Sequence, residues 1–348
     1  MKELLAKIQN LPIELKEIYD KIYEIKIFDD KMKIPEQLKE HFAEASEQEI
    51  IVITNKILHQ ETAFNLWRNK RDEPVVDGTP SGELLKNEFT PSEASSLALS
   101  EARCPFCNPR EMTPEDEIGR LENEGAITGS NIADSSKYHS LVIFKKHNFS
   151  DLDKNDIVKA FELARLWFQE IIIFDEKLKY GFLIWNQGYR AAASISHPHL
   201  QIFATETLPE KFEFIKDNIS NYQQKYNSNY YDDLFLLHNY LGLAKKFGEI
   251  KIIISLTPLK DKEIVILMQQ NEFDIKNLNN VIDAYKKFSE SFNLFLLKEP
   301  YGGLPSGFIV DRGDPDKKNS DMGSLELYAF SVVGFDLENF AKKFLGSL

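Results

Sequence analysis

Two imidazoles and a carboxamide stand at alternate positions in His197-Pro198-His199-Leu200-Gln201, which runs on into the apolar Ile202-Phe203-Ala204. On a strand, successive side chains alternate between faces, so His197, His199 and Gln201 share one side. A neutral imidazole is an adequate nucleophile near neutral pH, and a carboxamide N–H can donate to an oxygen that gains charge. Phosphate chemistry is one use for that combination.

The two cysteines, Cys104 and Cys107, form Cys-Pro-Phe-Cys. Such a pair can be a vicinal disulfide, a redox couple or half of a zinc site. A redox couple expects a thioredoxin-like βαβ setting, whereas Cys107 leads into Asn108-Pro109-Arg110 and a polar loop. Half a zinc site fits better and needs two further ligands. Of the seven histidines, His41, His59 and His238 lie in charged helical surroundings and read as surface or capping residues. His139 reads as a structural residue ahead of a strand. His147 and His197 remain as ligands for a zinc ion, with two free thiols in the core as the alternative that spacing leaves open.

Placing these groups requires strands. Leu141–Phe144 reads as one, followed by Lys145-Lys146-His147, a helix with Ile157, Phe161, Ala164, Trp167 and Ile171 on one face, the strand Gly181–Trp185, and the key strand within Ser196–Ala204. A second round follows: Ile264–Leu267, a helix with Leu278, Val281, Tyr285, Phe288 and Phe292 on one face, Gly307–Val310, and a last strand within Ser324–Val333. The shared order predicts a duplication, with chance recurrence as the alternative. In that alignment the His-Pro-His-Leu-Gln strand falls opposite Leu325-Glu326-Leu327-Tyr328-Ala329, so any active site is single and lies in the first copy. Residues 1 to about 70 read as helices, and residues 72–100, with Pro74, Gly78, Pro80, Gly82 and Pro91, as a loop or linker.

A chain of 348 residues can hold two domains. A net charge of −13 argues against nucleic acid or an anionic membrane as the main partner. No apolar run reaches the roughly 18 residues needed to span a bilayer, and the N-terminus lacks the apolar core of a secretory signal. A cytoplasmic protein is expected.

Asn186-Gln187-Gly188, Ser194 and His197-Pro198-His199-x-Gln201 together resemble the active-site signature of the galactose-1-phosphate uridylyltransferase family, the transferase branch of the histidine-triad superfamily. The stretch Asn131 to His147 resembles the superfamily's nucleotide-binding strand pair. The resemblance implies that Cys104, Cys107, His147 and His197 bind structural Zn2+, and that His199 takes a nucleotide covalently from a nucleoside diphosphate sugar and passes it to a sugar 1-phosphate. It further implies that Gln201 donates to a phosphate oxygen, that Asn186, Gly188 and Ser194 hold the phosphates, and that Asn131 and Phe106 meet the nucleoside. Glutamine stands where the hydrolase branch has a third histidine, which favours transfer or phosphorolysis over hydrolysis. Phosphorolysis of an ADP-sugar or a dinucleoside polyphosphate is the runner-up, and a non-catalytic zinc-stabilised nucleotide-binding protein is a third reading.

The sequence departs from the family in Ala191-Ala192-Ala193 and at the N-terminus, where Arg68 and Arg71 are candidate substitutes for an arginine-bearing opening strand. Arg190, Arg312, Lys317 and Lys318 are candidate anion contacts. The expected fold class is α+β: a helical extension and linker (1–90), a first histidine-triad-like half with zinc and active site (91–225), and a degenerate second half (226–348), each half a mostly antiparallel sheet with packed helices. The oligomeric state is open, with a homodimer as the candidate that the resemblance suggests, since family members often complete their pocket across one.

Overall fold

The computed structural model describes residues 1–34, 36, 46–65, 101–268, 275–314 and 322–348. The linker 72–100, His41, Arg68, Arg71, Lys317 and Lys318 lie outside the described residues. The chain opens with helices α1 (Lys2–Gln9) and α2 (Ile13–Ile22), as expected. It then departs from the helical reading, because Tyr23–Lys31, Glu47–Asn55 and Gln60–Phe64 are strands β1, β2 and β3. Tyr23-Glu24-Ile25-Lys26-Ile27 alternates apolar and charged residues, and Ile50-Ile51-Val52-Ile53 is a β-branched run, both of which suit a pleated surface.

The first half consists of a short helix α3 (Pro109–Met112), strands β4 (Ala126–Ser130) and β5 (Tyr138–Phe144), helix α4 (Lys154–Phe174), and strands β6 (Tyr180–Gln187) and β7 (His199–Thr205). Helices α5 (Glu210–Tyr226) and α6 (Tyr230–Leu241) lead to the second half. There, β8 (Ala244–Phe247), β9 (Ile250–Ile254), β10 (Ile264–Met268), helix α7 (Ile275–Tyr285), β11 (Phe292–Leu297) and β12 (Gly307–Asp311) follow in order. The last elements are α8 (Ser324–Tyr328), β13 (Ser331–Val333) and α9 (Leu337–Ser347).

Strands β4 to β12 form one antiparallel sheet ordered β4-β5-β7-β6-β11-β12-β10-β9-β8. Outward from the β6–β11 seam the halves repeat each other, β6-β7-β5-β4 on one side and β11-β12-β10-β9 on the other. The duplicated architecture holds, and its internal alignment is corrected by one strand. Helix α7 stops at Tyr285, and Phe292 opens β11 instead of prolonging the helix. The counterpart of the His-Pro-His strand is therefore β12. Residues Leu325–Ala329 belong to the α8 turn, while β13 leaves this sheet and pairs in parallel with β3.

On one face of the large sheet α4 packs on β4, β5 and β7, and α7 lies against α4 with Tyr285 edge-on to Phe292 of β11. The N-cap Asp153 and Asp156 close a capping box at the start of α4, which satisfies backbone donors there. Its buried stripe of Ile157, Phe161, Ala164, Trp167 and Ile171 joins Val142, Phe144, Leu200 and Ile202 in the main core. Full burial of each such large side chain contributes about 1.5–3 kcal/mol. The other face carries a register row running from Leu141 through Gln201, Ile184, Phe295, Phe308 and Val265 to Ile253. At its first-half end this row meets Cys104 and Phe106 in a small second core.

At its second-half end the row is covered by α5, α6 and the N-terminal strands. Tyr230 Oη accepts a hydrogen bond from Asn55 Nδ2 at 2.7 Å, and Thr62 Oγ1 donates to Pro258 O at 2.9 Å. His238, expected at the surface, is instead fully buried, its Nδ1 on Leu234 O at 2.8 Å. With Tyr23, Asn55, Tyr230 and Glu263 it lines a cavity of about 30 Å3, room for a water or two.

Burial raises the Glu263 carboxyl to about 7. An acid whose folded value lies above its unfolded one favours the fold at low pH and loses that contribution as pH rises through the folded value. Glu263→Gln keeps an acceptor for the Leu259 N–H, 3.1 Å away, and removes the charge. Thermal melts across pH should show the variant gaining about 1–3 kcal/mol over wild type at pH 8 and nothing below about pH 4.5. A constant offset would mean that Glu263 does not titrate in the fold.

Candidate active site and metal centre

Strand β7 starts at His199, and its pairing with β5 sets His199 opposite Ile143 and Gln201 opposite Leu141. His197 lies just before the strand, where the chain bends away toward the cysteine loop. The Pro198 carbonyl accepts from Phe144 N at 3.2 Å, so the His-Pro-His turn is pinned to the end of β5.

Four side chains converge there. Cys104, Cys107, His147 and His197 each offer a ligand atom, and these atoms all lie within 4.8 Å of one another. His197 Nδ1 is 3.5 Å from Cys104 Sγ and 3.6 Å from Cys107 Sγ, and His147 Nδ1 is 3.2 Å from Cys107 Sγ. A tetrahedral ion with metal–sulfur bonds of about 2.3 Å and metal–nitrogen bonds of about 2.0–2.1 Å has a sulfur–nitrogen edge of about 3.6 Å, so the donor set fits. The cysteines are not disulfide-bonded. His197 Nε2–H donates to Phe144 O at 2.7 Å, which leaves its Nδ1 lone pair toward the cluster. Burial lowers the His197 imidazole to about 4, so it is neutral. Burial and the neighbouring Cys104 push the Cys107 thiol up to about 11. A cation is what would hold Cys107 as a thiolate there at neutral pH.

His199 stands beside this cluster. Its Nδ1–H donates to His197 O at 2.9 Å, which fixes the tautomer and leaves the Nε2 lone pair available. The residue is 6% exposed, and burial holds its imidazole below the usual range. Phe106, the residue between the cysteines, packs edge-on to His199 with ring centroids 5.0 Å apart.

His199 and Gln201 open onto a cavity of about 170 Å3. Phe106, Pro114, Ile132 and Ile195 give it apolar walls, and Asn131, Ser130, Thr113 and Ser194 bring polar atoms to its rim. Of the residues expected to touch substrate, Phe106, Asn131 and Ser194 thus gather around His199.

Asn186, Gly188 and Arg190 do not line that cavity. Asn186 Oδ1 accepts from Asn293 Nδ2 at 2.8 Å, and Arg190 Nε donates to Arg312 O at 2.9 Å, so both tie their loop to the second half. Gly188 adopts φ +83°, and a Cβ there would come within 2.9 Å of Ser291 Oγ. The positive φ and the close approach of Ser291, just before β11, both call for a glycine there. Arg312 Nη1 donates to Asn293 Oδ1 in the same network.

Sequence reasoning missed His139. It is 4% exposed and reaches the site directly, with its Nε2 at 2.9 Å from Gln201 Oε1. The signal lay in the pairing of β5 with β7, which sets His139 opposite Phe203, one same-face step from Gln201. A single chain read in order does not display that register.

No family model and no curated protein matches this sequence. Solved structures do. An ADP-glucose phosphorylase from Arabidopsis thaliana with bound ADP-glucose superposes with a TM-score of 0.59 at 17% identity, over 84% of this chain and 97% of that one. A GalT-like protein from Arabidopsis thaliana gives 0.55 at 18% identity over 69% and 91%. A uridylyltransferase gives 0.53 at 13% identity over 85% and 98%. This chain therefore has the two-half fold that the uridylyltransferases, the GalT-like protein and the ADP-glucose phosphorylase share.

Proposed function

We propose that the protein is a nucleotidyltransferase that takes a nucleoside monophosphate from a nucleoside diphosphate sugar through a covalent nucleotidyl-histidine at His199. The observation that carries this reading is the tautomer of His199. With Nδ1–H committed to His197 O, a neutral ring presents the Nε2 lone pair beside a cavity with apolar walls and polar rim groups. Nε2 bonds to the α-phosphorus, the bond from that phosphorus to the bridging oxygen breaks, and the sugar 1-phosphate leaves with the electron pair. A phosphate oxygen of the acceptor then attacks the same phosphorus and returns His199 to its free form. Gln201 donates an amide N–H to a non-bridging oxygen as charge collects on it. The amide does not titrate, so the intermediate waits for a phosphorylated acceptor.

Zinc is proposed in the Cys104, Cys107, His147 and His197 cluster. Four protein donors fill a tetrahedron, and such an ion supplies structure by bracing the segment that carries His199. The GalT-like protein and the uridylyltransferases support sugar 1-phosphate as acceptor. The ADP-glucose phosphorylase match supports inorganic phosphate as the second candidate.

Intact-mass measurement after incubation with UDP-glucose or ADP-glucose tests the proposal. One added nucleoside monophosphate is expected, discharged by galactose 1-phosphate or by inorganic phosphate according to the true acceptor. No adduct with any donor, with nucleotide still bound, would make this a nucleotide-binding protein.

A further inference from the structure

Gln201 serves as a donor only if its amide turns the NH2 group toward the phosphate, and an amide side chain has no intrinsic preference between its two orientations. In this protein a chain of hydrogen bonds supplies the preference. Ser135 N–H points at His139 Nδ1, 3.2 Å away. A backbone N–H can only donate, so Nδ1 accepts and the neutral ring carries its proton on Nε2. That nitrogen lies 2.9 Å from Gln201 Oε1. An Nε2–H requires an acceptor there, so the oxygen of the amide is held against His139 and the NH2 is turned away.

The ring itself is held on both sides. It stacks on Phe203 with centroids 3.9 Å apart and 20° between the planes, and Phe203 stacks in turn on Phe182 at 4.6 Å. Asn131, whose Oδ1 accepts from Ala133 N at 3.1 Å, sets its Nδ2 over the ring face, 3.3 Å from Nδ1 and 2.9 Å from Nε2, out of line with the Nε2–H and with the Nδ1 lone pair. Asp134 Oδ1 lies 4.0 Å from Nδ1, beyond hydrogen-bond reach. Burial lowers the imidazole further, in keeping with a neutral ring.

We infer that His139 is a positioning residue: its Nε2–H locks the Gln201 amide with the N–H donors facing the transferring phosphoryl group. The inference rests on the proposed role of Gln201, so its test needs one readout independent of turnover.

That readout is the ring tautomer and the amide protons, by long-range 1H–15N spectra of the imidazole and side-chain amide spectra of Gln201. The Nε2–H form is expected in wild type, with Gln201 amide protons shifted in His139→Phe. An Nδ1–H tautomer would overturn the lock whether or not the protein transfers nucleotides.

The kinetic arm uses the same variant, which keeps the stack on Phe203 and deletes the donor. Loss of one oriented hydrogen bond predicts a fall of about 3- to 10-fold in the rate of nucleotidylation at saturating donor. KM should change little. His139→Gln, which can present an amide N–H to Oε1, should recover part of the loss. In a Gln201→Ala background His139→Phe should cost nothing further, because a residue acting through Gln201 has nothing left to position. Equal losses in both backgrounds would mark His139 as a packing residue only, and a wild-type rate in His139→Phe would overturn the inference outright.

Discussion

With His199 as the proposed nucleophile, His199→Ala should abolish the nucleotidyl adduct and lower turnover by about 10^4-fold or more, the scale on which enzymes lose activity with their covalent nucleophile. No described neighbour can replace it. His197 has Nε2 on Phe144 O and Nδ1 in the cysteine cluster, His147 turns Nδ1 to the same cluster, and His139 is occupied by Ser135 and Gln201. The control is His199→Asn, whose amide can still donate to the His197 carbonyl that now accepts from Nδ1 at 2.9 Å. Asparagine keeps the local bond and supplies no nucleophile, so it should be as inactive as alanine at a smaller cost in stability. An adduct that survives in either variant, or maps to another side chain, would refute the role of His199.

The proposed chemistry is written locally and the architecture is not. His197, His199, Gln201 and the two cysteines sit in two short runs, and the alternation of a strand is enough to put His199 and Gln201 on one cavity. The metal quartet needed one more step, since His147 and His197 come from the ends of paired segments. Residues 23–64 were harder because the apolar residues of α2 run without a break into those of β1, at Ile22-Tyr23. Strand β11 was concealed for a similar reason. Phe288 and Phe292 continue the spacing of Leu278, Val281 and Tyr285, although the chain leaves the helix at Tyr285. A periodic run says which residues are buried, and here it did not say where the helix ended.

The residues misplaced by sequence reasoning share one cause. His139 and His238 each draw their environment from chain segments far away. Gln201 is 62 positions from His139, and Tyr23, whose Oη lies 3.4 Å from His238 Nε2, is 215 positions from it. Asn186, Gly188 and Arg190 likewise have partners from distant segments. A family motif suggests phosphate contacts for these residues, and the structure adds contacts with Asn293, Ser291 and Arg312 next to the β6–β11 seam that the motif does not display.

Cys104→Ser should empty the metal centre and destabilise the first half by more than about 3 kcal/mol, since the binding energy of a structural zinc is largely folding energy. Cys104 is fully buried beside Phe106, Ile127, Leu141 and Ile143, so its loss is felt in the small core as well as at the ion. The consequence would reach the proposed nucleophile through one bond. His197 offers Nδ1 to the cluster, and its backbone carbonyl fixes the tautomer of His199. If an ion holds the cluster, its loss would free that segment, and Nδ1–H would no longer have a fixed acceptor. Metal analysis of the purified protein should give one zinc per chain in wild type and none in Cys104→Ser. Strong chelators should reproduce the melting loss, and the rate of adduct formation at a temperature where the chain stays folded should fall with it. Serine at position 104 with wild-type metal content and an unchanged melt would show that the four donors are a packed cluster of neutral groups. If zinc were lost while nucleotidylation kept its wild-type rate, the segment before β7 would be held by the Phe144 and Pro198 contacts alone.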